Sequence, residues 1–212
     1  MVRPSTKGRL ATLFFLFAVI PWLTAVGGPS LNWNLHSNRD GILIEVAPTP
    51  GSSIRTFRAT TILQVGHRAL AEFLIDPNHY STWMPDTSEV RILETDPERS
   101  VAYFVSNTPW PAKDRDGVYE STLQTLDDAE ASILINIRAL PDRLPPVKGK
   151  VRIPSAEGFW LLRPISPSST KVTYQFHCEP GASLPSWIVN QQTTTIPKET
   201  FINLRKLFSD RS

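Results

Sequence analysis

The residues of this chain that can do chemistry are few, and their spacing suits catalysis poorly. Four histidines (His36, His67, His79 and His177) and one cysteine, Cys178, have no metal-ligand spacing with one another. No glycine-rich phosphate loop and no nucleophile elbow is present. Arg115 stands between Asp114 and Asp116 in a stretch that reads as a strand. The two carboxylates therefore look like charge partners of the arginine rather than an acid–base pair. Cys178 falls on the apolar side of an alternating segment, where a thiol is poorly ionised and unreactive. These residues assign no catalytic group, no metal site and no cofactor.

The elements that must hold them are easier to read. At 212 residues and 41% hydrophobic composition, the chain can enclose one sizeable core, or one core with a hole in it. The net charge is only +2 and there is no run of Lys or Arg, which argues against a nucleic-acid partner. The first 27 residues differ from the rest. Arg3, Lys7 and Arg9 precede an uncharged apolar stretch from Leu10 to Val26, and Ala25-Val26-Gly27 offers small residues for cleavage. That is the pattern of a secretory signal peptide. An uncleaved anchor is the other reading, although Pro21 interrupts the stretch and it is short for the roughly 20 residues of a span. Either way residues 28–212 are expected outside the cytoplasm, periplasmic or secreted, with Cys178 a buried thiol.

After Gly28 the pattern is mainly two-residue alternation. Ile42, Ile44 and Val46 share one face, and so do Phe57, Ala59, Thr61 and Leu63. Val101, Tyr103 and Val105 alternate, as do Ile133, Ile135 and Ile137. Val172, Tyr174, Phe176 and Cys178 face one way, with Lys171, Thr173, Gln175 and His177 facing the other. Alternation of this kind marks half-buried antiparallel strands, about six to eight of them between turn-like segments. Two stretches instead keep helical spacing. Val65, Ala69 and Phe73, with Leu70 and Leu74, form a short helix that ends at Asp76-Pro77. Phe201, Leu204, Leu207 and Phe208 mark a C-terminal helix of about 20 residues entered at Pro185 and restarted or kinked at Pro197. The fold class is α+β, a curved antiparallel sheet gripping a terminal helix.

Several segments then resemble one known family in its own order. Trp33-Asn34 leads into Asp40-Gly41-Ile42-Leu43-Ile44, and Ile75-Asp76-Pro77 runs on to Trp83-Met84-Pro85. Trp110-Pro111-Ala112-Lys113-Asp114-Arg115-Asp116-Gly117-Val118-Tyr119 matches the pattern W-P-x-x-x-R-D-x-V-Y. Val151-Arg152 is followed by Gly158-Phe159-Trp160, and Glu179-Pro180-Gly181-Ala182 leads through Pro185 to Trp187 and Asn190. Together these resemble the START (StAR-related lipid transfer) domains, in particular phosphatidylcholine-transfer-like members. Glu179 and Ala182 depart from the usual Asp and second Gly. The long helix that many members carry ahead of the sheet is almost absent, which leaves one end of the cavity more open.

The resemblance implies a helix-grip fold with a tunnel for one lipid or sterol-like ligand, for transfer, storage or sensing. Arg115 would then sit at the cavity, either in a structural ion pair or against a ligand head, since a desolvated guanidinium must be paired. Arg152 is read as a solvated or paired strand residue, with contact to a ligand head group as the other reading. Tyr103, Trp110, Trp160, Tyr174 and Phe176 would line the pocket, because in this fold the concave apolar face is the cavity wall. Trp187 and Asn190 would anchor the start of the last helix. Lys198, Arg205, Lys206 and Arg211, near Phe201 and Phe208, would give that helix either a membrane-docking face or an ordinary wet basic face. The alternative class is a helix-grip cyclase or hydrolase that uses the same tunnel as a reaction chamber.

Overall fold

The alternating apolar residues build one sheet. The structure, a computed structural model, describes residues 31–181, 184 and 186–209; the expected signal or anchor segment lies outside them. The elements in chain order are β1 (Asn34–Arg39), β2 (Ile42–Ala47), β3 (Thr56–Leu63), α1 (His67–Ile75), a 3-10 turn (Pro77–His79) and α2 (Tyr80–Trp83). There follow β4 (Thr87–Asp96), β5 (Arg99–Ser106), β6 (Arg115–Thr125), β7 (Ile133–Ala139), β8 (Val151–Arg152), β9 (Ser155–Ser166), β10 (Ser169–Glu179) and α3 (Ser186–Ser209). The strands run in the order β1-β2-β3-β10-β9-β7-β6-β5-β4, with β8 added parallel to β6. Pairing of β3 with β10 joins the two ends of the sequence, so α3, which follows β10, lies against β2 and β3.

Local chemistry explains the joints. Asp40 and Gly41 both take positive φ, 54° and 67°, the left-handed pair that a tight two-residue hairpin needs. The Asp76 carboxylate accepts from the Asn78 amide at 3.0 Å and opens the turn after α1. Among the described residues ten strands form where six to eight were expected. The β4 strand escaped notice because its register with β5 shifts at Thr87/Glu89 and at Ile92/Glu94, which breaks the alternation. The β8 strand has only two residues.

The last helix runs through Pro197 without interruption. It has 24 residues, about 36 Å at the usual rise per residue. Proline there removes one ladder donor, and the helix keeps its course by packing. Beyond Pro197, Phe201, Leu204 and Phe208 enter the main core beside Ile42, Ile44, Leu70 and Leu74. Ahead of it, Val189, Gln192, Thr193 and Ile196 cover open space.

The convex side of the sheet carries a second, smaller core of Val101, Tyr103, Val105 and Val118, covered by Leu140 and Leu144. Arg152 pins that cover. It holds the buried Asp116 carboxylate at 2.8 Å and donates to the carbonyls of Pro141 at 2.6 Å, Leu144 at 2.7 Å and Pro145 at 3.0 Å. Arg152 is thus a paired residue. Replacing it by alanine strands a buried carboxylate. R152A is expected to lose about 3 kcal/mol, a Tm drop of roughly 6–12 °C by calorimetry; an unchanged Tm would refute this role.

Candidate functional site

The concave face and the first half of α3 leave a cavity of about 260 Å³. On β6, Arg115, Gly117, Tyr119 and Ser121 alternate toward it, and three of the four line it. Gly117 matters by what it lacks. A Cβ there would stand 2.7 Å from the Tyr119 ring and 3.0 Å from its hydroxyl, so the ring lies over the glycine. On the next strands Trp160 stands opposite Tyr174, their rings stacked at 3.8 Å and 3°. Gly158 stands opposite Phe176, and a Cβ on it would fall 2.5 Å from that ring and 2.3 Å from the Gln175 carbonyl oxygen. Phe104 and Ile137 complete the wall from β5 and β7, and α2 supplies Tyr80 and Trp83. Tyr80 stacks on Phe104 at 5.0 Å. The exposed residues Asp86, Asn107 and Pro109 form the rim.

The structure divides the expected lining residues. Arg115, Trp160, Tyr174 and Phe176 line the cavity; Tyr103 and Trp110 do not. Tyr103 points to the convex core, with the Arg91 guanidinium 5.0 Å over its ring. Both faces of β5 are covered, so alternation alone marks two apolar faces and leaves the inner one undecided; Phe104 is the inward residue. Trp110 is 91% exposed on the β5–β6 loop, next to the rim residue Pro109. Reading the sequence missed Tyr80, Trp83, Phe104, Tyr119 and Ser121. Counting twos from Arg115 reaches Tyr119 and Ser121, and glycines inside two strands mark where rings lie flat. Nothing in local spacing signals that α2 contributes its side chains.

Arg115 is 4% exposed. Its Nε donates to the Pro180 carbonyl at 3.3 Å and its Nη1 to the Lys113 carbonyl. It therefore ties the start of β6 to the segment that enters α3. Desolvation pulls its pKa below the ordinary arginine value, and the charge of Asp114 opposes that. The neighbouring carboxylates also do other work. Asp116 holds Arg152, and the Asp114 Oδ1 accepts from the Thr108 amide at 3.0 Å. The helix entry has a second tie. The Asn190 Oδ1 accepts from the Arg55 amide at 3.0 Å and its Nδ2 donates to the Ser53 carbonyl at 3.2 Å. Asn190 is thus an anchor, whereas the side chain of its expected companion Trp187 lies outside the described residues, as does Arg211. Arg205 donates to the carbonyls of Asp40 and Gly41 and to the Thr61 hydroxyl, and Phe201 and Phe208 are buried. Of the basic residues on the described helix, Lys198 and Lys206 stay exposed.

The cavity is polar in places, yet its buried phenols and thiol are held in their neutral forms. Burial lifts the Tyr80 hydroxyl to about 12, with a hydrogen bond from Ser121 working the other way. Burial also lifts Tyr119 and Tyr174 well above the ordinary phenol value and pushes the Cys178 thiol to about 12. His177 lies outside this set; its ring meets Thr49 at 3.3 Å and Glu179 at 3.0 Å. No group of three His, Cys, Asp or Glu residues suited to a metal occurs among the described residues.

A helix gripped by a curved sheet around a hollow is the expected architecture, and the START domain model matches residues 28–206. The chain belongs to the START domain family. A STAR-related lipid transfer protein of Xanthomonas axonopodis superposes with a TM-score of 0.77 at 36% identity, over 84% of this chain and 98% of that one. Human STARD10 superposes at 0.71 with 22% identity, over 82% of this chain and 71% of that structure, a likeness of fold. In sequence, an uncharacterised Pseudomonas aeruginosa protein is 28% identical over 180 residues, 85% of this chain and 88% of its own length. Human START domain-containing protein 10 is 26% identical over 167 residues, but this chain spans only 56% of that protein.

All four tyrosines have raised pKa values, burial being the first cause in each. An unfolded chain releases phenol protons near pH 10, whereas the folded START domain holds them. The unfolded state therefore binds fewer protons above that pH, and stability present below pH 10 is lost as pH rises, by about 1.4 kcal/mol per unit per group. Tyrosinate absorbance in a pH 9–12 titration is expected to appear together with loss of circular dichroism. A full tyrosinate signal at pH 10.5 with the fold intact would refute this burial.

Proposed function

We propose that this START domain is a carrier that holds one hydrophobic molecule in the cavity beneath α3 and does no chemistry on it. One observation carries the reading: a roofed hollow walled by Phe57, Phe104, Ile137, Trp160 and Phe176, with a rim open to solvent at Asp86, Asn107 and Pro109. An apolar wall with a few placed polar groups suits binding. A reaction chamber needs a group that gives up or takes a proton near neutral pH. Tyr80, Tyr119, Tyr174 and Cys178 instead keep their protons, and the lining holds no histidine among the described residues. These observations favour holding over reacting. The name of the Xanthomonas relative, a lipid transfer protein, supports a lipid as the class of guest.

Native mass spectrometry of the gently desalted protein is expected to show a one-to-one apolar adduct. Ile137→Trp should fill the hollow, remove the adduct and keep the fold by circular dichroism. An adduct-free wild type, or a variant that keeps its full adduct, would overturn the carrier reading.

The carrier is proposed to work outside the cytoplasm, because Arg3, Lys7 and Arg9 before the Leu10–Val26 stretch fit an export leader. N-terminal sequencing of protein from the cell exterior or periplasm is expected to start just after Gly27, or at Met1 if the leader stays as a tether. Finding the chain only in cytosol would refute export.

A further inference from the structure

Three tyrosines line the cavity. Tyr119 rises from β6, Tyr174 from β10 and Tyr80 from α2, so elements far apart in sequence converge there. Each influences another electrostatically, Tyr119 with Tyr174 and Tyr174 with Tyr80, and Cys178 acts on both Tyr119 and Tyr174. The Tyr80 hydroxyl is bonded to Ser121. Beside them the indole Nε1 of Trp83, another lining residue, is buried with no hydrogen-bond partner. Buried polar groups normally find partners, so the unpartnered Trp83 Nε1 beside three tyrosines marks a place where a guest supplies an oxygen.

We propose that the cavity takes a compact, neutral lipid whose hydroxyl or carbonyl oxygen binds the phenols of Tyr80, Tyr119 and Tyr174, and that it discriminates against phosphate-headed and two-chain lipids. This deepens the carrier reading and rests on it. Size is the first argument. At about 260 Å³ the hollow lies at the lower edge of the roughly 300–1,000 Å³ typical for drug-sized ligands, and a two-chain phospholipid is larger still. Charge is the second. The phenols and the thiol themselves offer an anionic phosphate no charge to offset its desolvation. The two lining cations are engaged with backbone carbonyls, Arg115 with those of Lys113 and Pro180 and Arg55 with that of Asn190. Asp86 stands at the rim, and the ion pairs of Glu94 and Glu120 with Arg99, Glu120 with Arg138, and Asp116 with Arg152 lie outside the cavity lining. The raised phenol pKa values agree with this division, since these hydroxyls stay donors through the physiological range.

The test uses the full chain and four probes of matched chain length, each at submicellar concentration: dodecane, dodecanol, dodecyl phosphate and didodecylphosphatidylcholine. Each competes with N-phenyl-1-naphthylamine, a neutral dye bright in apolar cavities. Dodecanol is expected to bind about tenfold more tightly than dodecyl phosphate, and the two-chain lipid is expected not to compete. A double Tyr119→Phe/Tyr174→Phe variant is expected to lower the ratio of alcohol to alkane affinity about five- to tenfold, the worth of one neutral hydrogen bond. Tighter binding of the phosphate or of the two-chain lipid overturns the inference, and so does an unchanged ratio in the variant. In those cases the dye still binds and the carrier reading stands. If neither dye nor any probe binds, the carrier reading falls as well.

Discussion

The structure depends on one mismatch of surfaces: the sheet's concave face offers more apolar area than a single helix can cover. Phe201, Leu204 and Phe208 close one half of the concavity against Ile42, Ile44, Leu70 and Leu74. The other half meets Val189, Gln192, Thr193 and Ile196, which are smaller or more polar, and a hollow is left. Interiors are close-packed as a rule, and an unfilled volume of this size costs contact energy. The fold carries that cost because the solid half and the convex core hold the sheet.

The walls are kept open by subtraction as much as by addition. Gly117 lets Tyr119 lie back on its own strand, and Gly158 lets Phe176 do the same across from it. The roof is held by its entry, where Arg115 takes the Pro180 carbonyl and Asn190 takes the backbone of Ser53 and Arg55. Charges are sorted around this interior. Ion pairs run Glu94–Arg99–Glu120–Arg138 away from the cavity, where partial exposure lets water share the load, while buried phenols and a thiol stay neutral within.

Much of this was legible in the sequence. Alternation at Ile42–Val46, Phe57–Leu63 and Val172–Cys178 gave the central strands, and helical spacing gave α1 and α3. Trp160, Tyr174 and Phe176 line the cavity, where the family resemblance put them, because β9 and β10 turn one face toward it. Tyr103 was misplaced for a physical reason: the Leu140–Arg152 segment covers the outer face of β5, so both of its faces are apolar and parity cannot tell inside from outside. Trp110 belongs to the most specific motif, yet it stands in water at the loop, which shows that a motif marks family and not contact. Tyr80 and Trp83 reach the cavity only through the tertiary placement of a four-residue helix, which no spacing rule reveals.

The central claim, that the hollow accommodates a guest, is tested most directly by a crystal structure of the protein purified from its own cells without organic solvent. Continuous non-protein density between α3 and the Tyr119, Trp160 and Tyr174 side chains is the predicted result. Rings of Trp160, Phe176 and Trp83 swung inward to fill the space, with no density left over, would contradict it.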